Sequence, residues 1–165
     1  MATTYEAIAT TTASGSASFV TFSSIASTWT DLVLVSSSQT TSGSDTLIQM
    51  QFNSDTGSNY SRTFLYGTGS TAGSGRTSNA TELSIGVIPA SSSSNWATTK
   101  TSIQNYSNST TYKTAITRND YTGDAAYAGV GLWRSTSAIT SIKVIASAGN
   151  FSSGSTFTLY GIKAA

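Results

Sequence analysis

Apolar and polar residues alternate along this chain with a period of two over short runs. Clusters of Ser, Thr, Gly, Asn and Asp separate the runs, the pattern of half-buried β-strands joined by turns. The last run anchors the reading. Phe157 and Leu159 alternate with Thr158, Tyr160 and Ile162, which predicts a closing strand over 156–163, buried on both faces and set inside a sheet beside the first strand. At the other end, positions 5–11 alternate Tyr5, Ala7 and Ala9 against Glu6, Ile8 and Thr10. Positions 19–22 supply a second short strand across Ser14-Gly15-Ser16, so the two are expected to form an opening hairpin. Leu32, Val33, Leu34 and Val35 are an apolar tetrad whose β-branched content favours a central strand.

In 46–53, Ile48, Met50 and Phe52 share a face opposite Leu47, Gln49 and Gln51. In 60–66, Phe64 and Tyr66 lie opposite Leu65. Further strands are expected over 82–88, where Pro89 stops the ladder, and over 96–106, 112–118, 127–134 and 139–145. Gly129 and Gly131 suggest close backbone approach beneath Trp133. Three segments read as exposed loops: the Gly-rich and mobile 67–78, the Ser-rich 90–95, and 119–126 with Asp120, Gly123 and Asp124. About ten short strands with frequent turn signals predict an all-β fold, an antiparallel two-sheet β-sandwich of jelly-roll type. The expected organisation is a single domain over 1–165 with a short N-terminal arm over 1–8.

Composition sharpens this picture. Charged residues are only 9% of the chain while Ser and Thr occupy more than a third of it, yet hydrophobic residues reach 38% and aromatics 10%. The apolar runs are enough to bury a core, so the expectation is a β protein coated with hydroxyls rather than a disordered chain. A formal net charge of +1 supplies no long-range field for nucleic acid or an anionic membrane, and neither is expected as a partner. No run approaches the length of a membrane span, and positions 1–6 lack the basic and apolar regions of a secretion signal, so synthesis in the cytoplasm is expected.

The chain has no His and no Cys, which removes Ser-His and Cys-His nucleophilic chemistry, disulfides and thiolate metal sites. Acid-base work would fall to seven carboxylates, of which Asp120 and Asp124 are the nearest pair. As default loop residues they read better as solvated turn-formers. Asn53, Asp55, Gly57 and Asn59 resemble a calcium loop in their alternating oxygens, but one carboxylate without a closing Glu points to an Asx-type turn. Gly67, Gly69 and Gly73 resemble a phosphate loop only in their glycines, since no Lys-Ser/Thr ending or helix follows. Five Asn-x-Ser/Thr sequons occur, at Asn59, Asn79, Asn105, Asn108 and Asn150; so hydroxyl-rich a sequence produces about three by chance, and without a secretion signal they are not evidence of glycosylation. No catalytic, cofactor-binding or metal-binding residue is therefore assigned. Of Trp29, Trp96 and Trp133, Trp96 stands out, because it follows a Ser-rich loop at a strand end.

Three segments carry a resemblance. Gly154 to Ile162, with Phe157, Leu159, Tyr160 and Gly161, looks like the ending of small β-rich virion proteins of tailed bacteriophages, particularly cyanophages and other marine phages. Phe19, Phe22 and Ile25, followed by Trp29-Thr30-Asp31-Leu32, resemble the opening of those proteins, and Arg62 to Gly67 resembles a middle segment. The resemblance implies a virion structural protein and carries over no ligand residue. With no collagen-like or coiled-coil shaft, a capsid decoration (cement) protein is expected: a homo-oligomer, taken as a trimer, on the virion surface, assembled in the host bacterial cytoplasm. It would bind the major capsid protein or other virion proteins and would not be an enzyme. Contacts are expected at Tyr5 and Ile8, through strand addition by the N-terminal residues, and at Trp96 and Tyr121. The alternative is a tail fibre or tail-tip module that reads host glycan through the three loops.

Overall fold

The computed structural model describes residues 4–121 and 125–163, and every described element is a β-strand. In chain order they are β1 (Tyr5–Thr12), β2 (Phe19–Phe22), β3 (Asp31–Ser38), β4 (Thr46–Phe52), β5 (Tyr60–Gly67), β6 (Ala72–Ala80), β7 (Leu83–Ile88), β8 (Ala97–Gln104), β9 (Lys113–Tyr121), β10 (Ala125–Trp133), β11 (Ile142–Ala146) and β12 (Thr156–Ile162). They form two antiparallel sheets, one of eight strands in the order β1-β12-β3-β8-β9-β10-β5-β6 and one of four in the order β2-β11-β4-β7. The chain is thus an antiparallel β-sandwich of twelve described strands, where the sequence pattern predicts about ten.

One core lies between the sheets, built by alternate residues of each strand. The large sheet contributes Leu32, Leu34, Phe157, Leu159 and Ile103, and the small sheet Ile48, Met50, Phe52, Ile142, Val144 and Ile85. The closing strand sits between β1 and β3, as the sequence predicts. It is buried on one face only: Phe157, Leu159 and Gly161 face inward while Thr156, Thr158, Tyr160 and Ile162 are half-exposed. The expected opening hairpin does not form, because β1 pairs with β12 in the large sheet and β2 with β11 in the small one. The turn at Gly15 therefore passes the chain from one layer to the other. From Tyr5 onward, the residues expected as an N-terminal arm belong to β1.

The largest departure from the sequence reading is β6, which replaces the mobile loop expected over 67–78. Its Gly75 and Gly73 lie opposite Phe64 and Tyr66 of β5. A Cβ on Gly75 would stand 2.5 Å from the Phe64 ring, and one on Gly73 2.6 Å from the Tyr66 ring. The aromatic side chains of β5 thus lie flat over the glycines of β6 and supply the apolar cover that β6 lacks. Only 68–71 remains as the turn, closed by the Thr68 N–H donating to the Thr71 carbonyl at 2.8 Å. Close approach at Gly131 is borne out with a different neighbour. A Cβ there would meet the Leu83 side chain of the facing sheet at 2.5 Å.

Hydroxyls are not confined to the surface. Thr117 Oγ1 donates to the Ile85 carbonyl at 2.9 Å. The Asn119 carboxamide accepts the Val87 N–H at 2.9 Å and donates to Thr99 Oγ1 at 2.9 Å. The Thr117 and Asn119 side chains of β9 thus satisfy backbone groups of β7, the edge strand of the small sheet, and help close that edge to further pairing. By contrast, the buried hydroxyls of Ser36, Ser38 and Ser84 have no hydrogen-bond partner among the described residues. A buried hydroxyl without a hydrogen bond destabilises the fold, so Ser36→Ala and Ser38→Ala should each raise unfolding free energy by about 0.5–2 kcal/mol. Thr117→Val, which removes a bonded hydroxyl, should lower it by about 1 kcal/mol. Urea unfolding of the three variants checks the contrast.

Candidate interaction surface

The loop with calcium-like spacing is a structural clamp. Asp55 lies in the connection that carries the chain from β4 in the small sheet to β5 in the large one. Its Oδ1 accepts the Gly57 N–H at 2.8 Å; its Oδ2 accepts Asn59 Nδ2 at 2.9 Å and the buried indole Nε1 of Trp133 at 2.7 Å. Asn53 is engaged too, its Oδ1 accepting the Thr140 and Ser141 N–H groups and its Nδ2 donating to the Ala138 carbonyl. The oxygens a cation would need are therefore directed at the protein's own donors. Among the described residues, no three carboxylates gather as a metal site would require.

Burial pushes the Asp55 carboxyl up, but the donors from Trp133, Asn59 and Gly57 outweigh it and hold the group below its ordinary 3.8. A carboxyl depressed on folding contributes stability above its unfolded pKa, and that contribution is lost as pH falls through the folded value. Asp55→Ala should therefore lower unfolding free energy at neutral pH by about 1.5–3 kcal/mol. The difference between parent and variant should shrink below pH 4, as chemical denaturation at a series of pH values will read.

Lys113 is the other unusual ionisable group. It is 1% exposed, and its Nζ donates to the carbonyls of Thr111 at 2.7 Å and Thr136 at 3.1 Å. Burial pushes its pKa down. Facing carbonyls inside the fold, the ammonium pins the start of β9 and has no access to a substrate.

Asp120 is not a loop residue. It lies in β9 opposite Thr98 and Ala126, and its Oδ1 accepts the Thr98 N–H at 2.6 Å. Asp124 and positions 122–123 lie outside the described residues. Tyr121 ends β9 opposite Ala125, and its side chain is likewise outside the described set. Trp96 is half-buried, with its ring edge 3.6 Å from where a Cβ on Gly154 would stand. Tyr5 is 49% exposed and meets Tyr160 edge-on at 6.3 Å, and Ile8 is the extra residue of a bulge in β1, packed against the core. The four candidate contact residues thus fall into two groups, Tyr5 and Ile8 on the edge strand β1, and Trp96 and Tyr121 just before β8 and at the end of β9. The pairings of Gly67 with Ala126, Ala126 with Asp120, and Asp120 with Thr98 set the 68–71 turn, the end of β9 with the start of β10, and the 90–96 segment side by side.

Sequence reading missed the outer face of the large sheet, where Leu65, Ile116 and Val130 are 62%, 49% and 55% exposed. Ile116 stands directly opposite Val130, and Leu65 is opposite Ala128, one step along the same face. Beside them runs a shallow trough of about 670 Å³ lined by Val35, Leu65, Lys100, Arg118, Asp120 and Ala128. The signal was present as β-branched and large apolar residues at outward strand positions, but a single strand does not say which of its faces is covered.

On the inner side, where β10 and β5 reach the edge of the small sheet, Phe64 and Tyr127 stack at 5.2 Å. Arg62 lies over Phe64 at 4.7 Å and donates to the Tyr127 hydroxyl at 3.1 Å. Burial pushes the Tyr127 hydroxyl pKa up, against the opposing pull of Arg62. These rings line a smaller cleft of about 260 Å³ with Leu47 and Val87.

Compared with known proteins, the chain matches no protein-family model, and no curated protein is similar to it in sequence.

Proposed function

We propose that this chain is a bacteriophage virion structural protein, a decoration protein that stabilises the head by binding across major capsid subunits. It acts by docking and not by catalysis, self-associates as a trimer, and sits on the outside of the particle. The observation that carries this reading is the outer sheet face, a broad and regular surface with Leu65, Ile116 and Val130 exposed, as suits contact with another protein. We read the nested pairing of β1 with β12, β2 with β11, β3 with β8 and β4 with β7 as a jelly roll. On this reading β5–β6 and β9–β10 are inserted hairpins that widen one sheet. Jelly rolls serve capsid and lectin domains alike, so the architecture is compatible with a virion role without selecting it. On particles of a phage that encodes the chain, gold-labelled antibody should mark the head; labelling confined to the tail, or absent, overturns the proposal.

A second reading, a tail-tip module that binds host glycan, draws on the gathering of the 68–71 turn, the adjoining ends of β9 and β10, and the 90–96 segment with Trp96 at one end of the sheet. Aromatic rings at such an end suit the apolar faces of sugars. Trp96→Ala with Tyr121→Ala separates the two readings. Decoration predicts unchanged adsorption to host cells, while a glycan module predicts adsorption reduced tenfold or more.

A further inference from the structure

Eight Lys and Arg side chains are present, and five of them are engaged within the protein. Arg62 bonds Tyr127, Lys113 bonds two carbonyls, and Arg134 bonds the Ser58 carbonyl and Asn79. Lys143 lies over Phe19 at 4.3 Å and Lys163 over Trp29 at 4.8 Å. The remaining three, Arg76, Lys100 and Arg118, make no such contact among the described residues. All three project from the outer face of the large sheet. Lys100 and Arg118 stand directly opposite each other on β8 and β9, and Arg76 is on β6, opposite Thr63. Like charges set directly across a ladder are unfavourable, so this pair is a local strain that an external anion relieves.

Between the two cationic positions lie Ile116, Val130 and Leu65. From β9 to β6 is three strand spacings, about 14 Å, close to the span of four residues of extended chain at about 3.3 Å each. Residues i, i+2 and i+4 of an extended segment face the same way, so a segment laid across the sheet presents an acid, an apolar residue and an acid to Arg118, the apolar strip and Arg76. Charge disfavours a second copy as the occupant. Among the described residues three cations stand against Asp31 and Asp120 on this face, a net positive charge that works against pairing the face with itself. The exposed aliphatic side chains between the cations favour protein over a polyphosphate backbone, which would leave them wet.

We propose that the outer face of the large sheet is a docking surface for an acidic protein segment in which two carboxylates flank an apolar residue. The carboxylates pair with Lys100/Arg118 at one side and Arg76 at the other, and the apolar residue covers Leu65 and Val130. The proposal concerns this surface and does not depend on where the partner resides, so its failure and that of the virion reading are separately visible.

The test is titration of the isotope-labelled full chain with a synthetic peptide of order Glu-Ser-Leu-Ser-Glu, followed by NMR. Shift changes should concentrate at Leu65, Ile116 and Val130. Lys100→Glu with Arg118→Glu should weaken binding about tenfold or more, and a Lys-Ser-Leu-Ser-Lys peptide should bind that variant in preference to the parent. Because these side chains are at the surface, the fold should survive, as circular dichroism will check; the milder Lys100→Gln with Arg118→Gln provides a second measurement. No shift changes on this face, or an affinity indifferent to charge reversal, overturns the proposal. So does tighter binding of a single-stranded oligonucleotide at the same residues, which would make the partner a nucleic acid.

Discussion

A sheet of four strands cannot cover the inner face of a sheet of eight, and much of this molecule follows from that mismatch. The small sheet lies with β7 against β8, β9 and β10, its edge just reaching β5. Beyond that edge, apolar side chains facing inward have no layer above them. The chain meets the difficulty by laying Phe64 and Tyr66 flat over glycines of β6, stacking Phe64 on Tyr127 and covering Phe64 with the Arg62 guanidinium. Each contact replaces part of the cover that another strand would have provided. The edge of β7 is closed in a related way, by Thr117 and Asn119 from the opposite sheet. The hydroxyl-rich composition thereby has an interior role: short polar side chains reach backbone groups between layers where a larger apolar residue would leave them unpaired.

Where the chain changes sheets, the crossing is held by aromatic packing joined to a carboxylate. Trp133 stacks near Tyr60 at 6.4 Å and meets Phe52 at 5.4 Å, which brings β10, β5 and β4 together at one corner of the core. The Tyr60 hydroxyl accepts the Phe52 N–H at 2.9 Å, and the indole is fixed by Asp55. Burial pushes the Tyr60 hydroxyl well above the ordinary tyrosine range, so it remains protonated and able to donate over the ordinary pH range. This corner accounts for the spacing of Asn53, Asp55 and Asn59: alternating oxygens bend the connection and meet donors from three directions, a geometry that in sequence looks like cation ligation.

Parts of this were legible from periodicity alone. The faces of β4 and β12 follow the alternation of Ile48, Met50 and Phe52 and of Phe157 and Leu159, because a core facing one side of a strand imposes a period of two. Pairing across long separations was less legible. The Gly15 turn suggests a local hairpin, yet both strands beside it join late strands, and nothing local encodes a partner near the end of the chain. β6 was missed because its strand character resides in its neighbour. Its own residues include nothing apolar larger than Ala, and the signal was relational, with Phe64 and Tyr66 mirrored by Gly75 and Gly73 across a short turn. Asp120 was misplaced for a similar reason, since Asp at a strand end and Asp in a loop look alike without the Thr98 N–H that receives it.

The same composition constrains how such a molecule finds a partner. With 9% charged residues and a net charge of +1, its field at distances beyond about 10 Å is weak and screened by salt, so electrostatic steering contributes little to encounter. Recognition must then be decided at contact, where shape, apolar cover and the pairing of individual charges act at short range. On a surface made mostly of hydroxyls, each readily solvated and none strongly selective, the few side chains that differ carry the discrimination. Cations bonded or stacked within the protein are unavailable for that purpose. Those that remain lie on one face, set around exposed aliphatic residues, so charge and hydrophobic contact coincide in the one region where a partner can satisfy both.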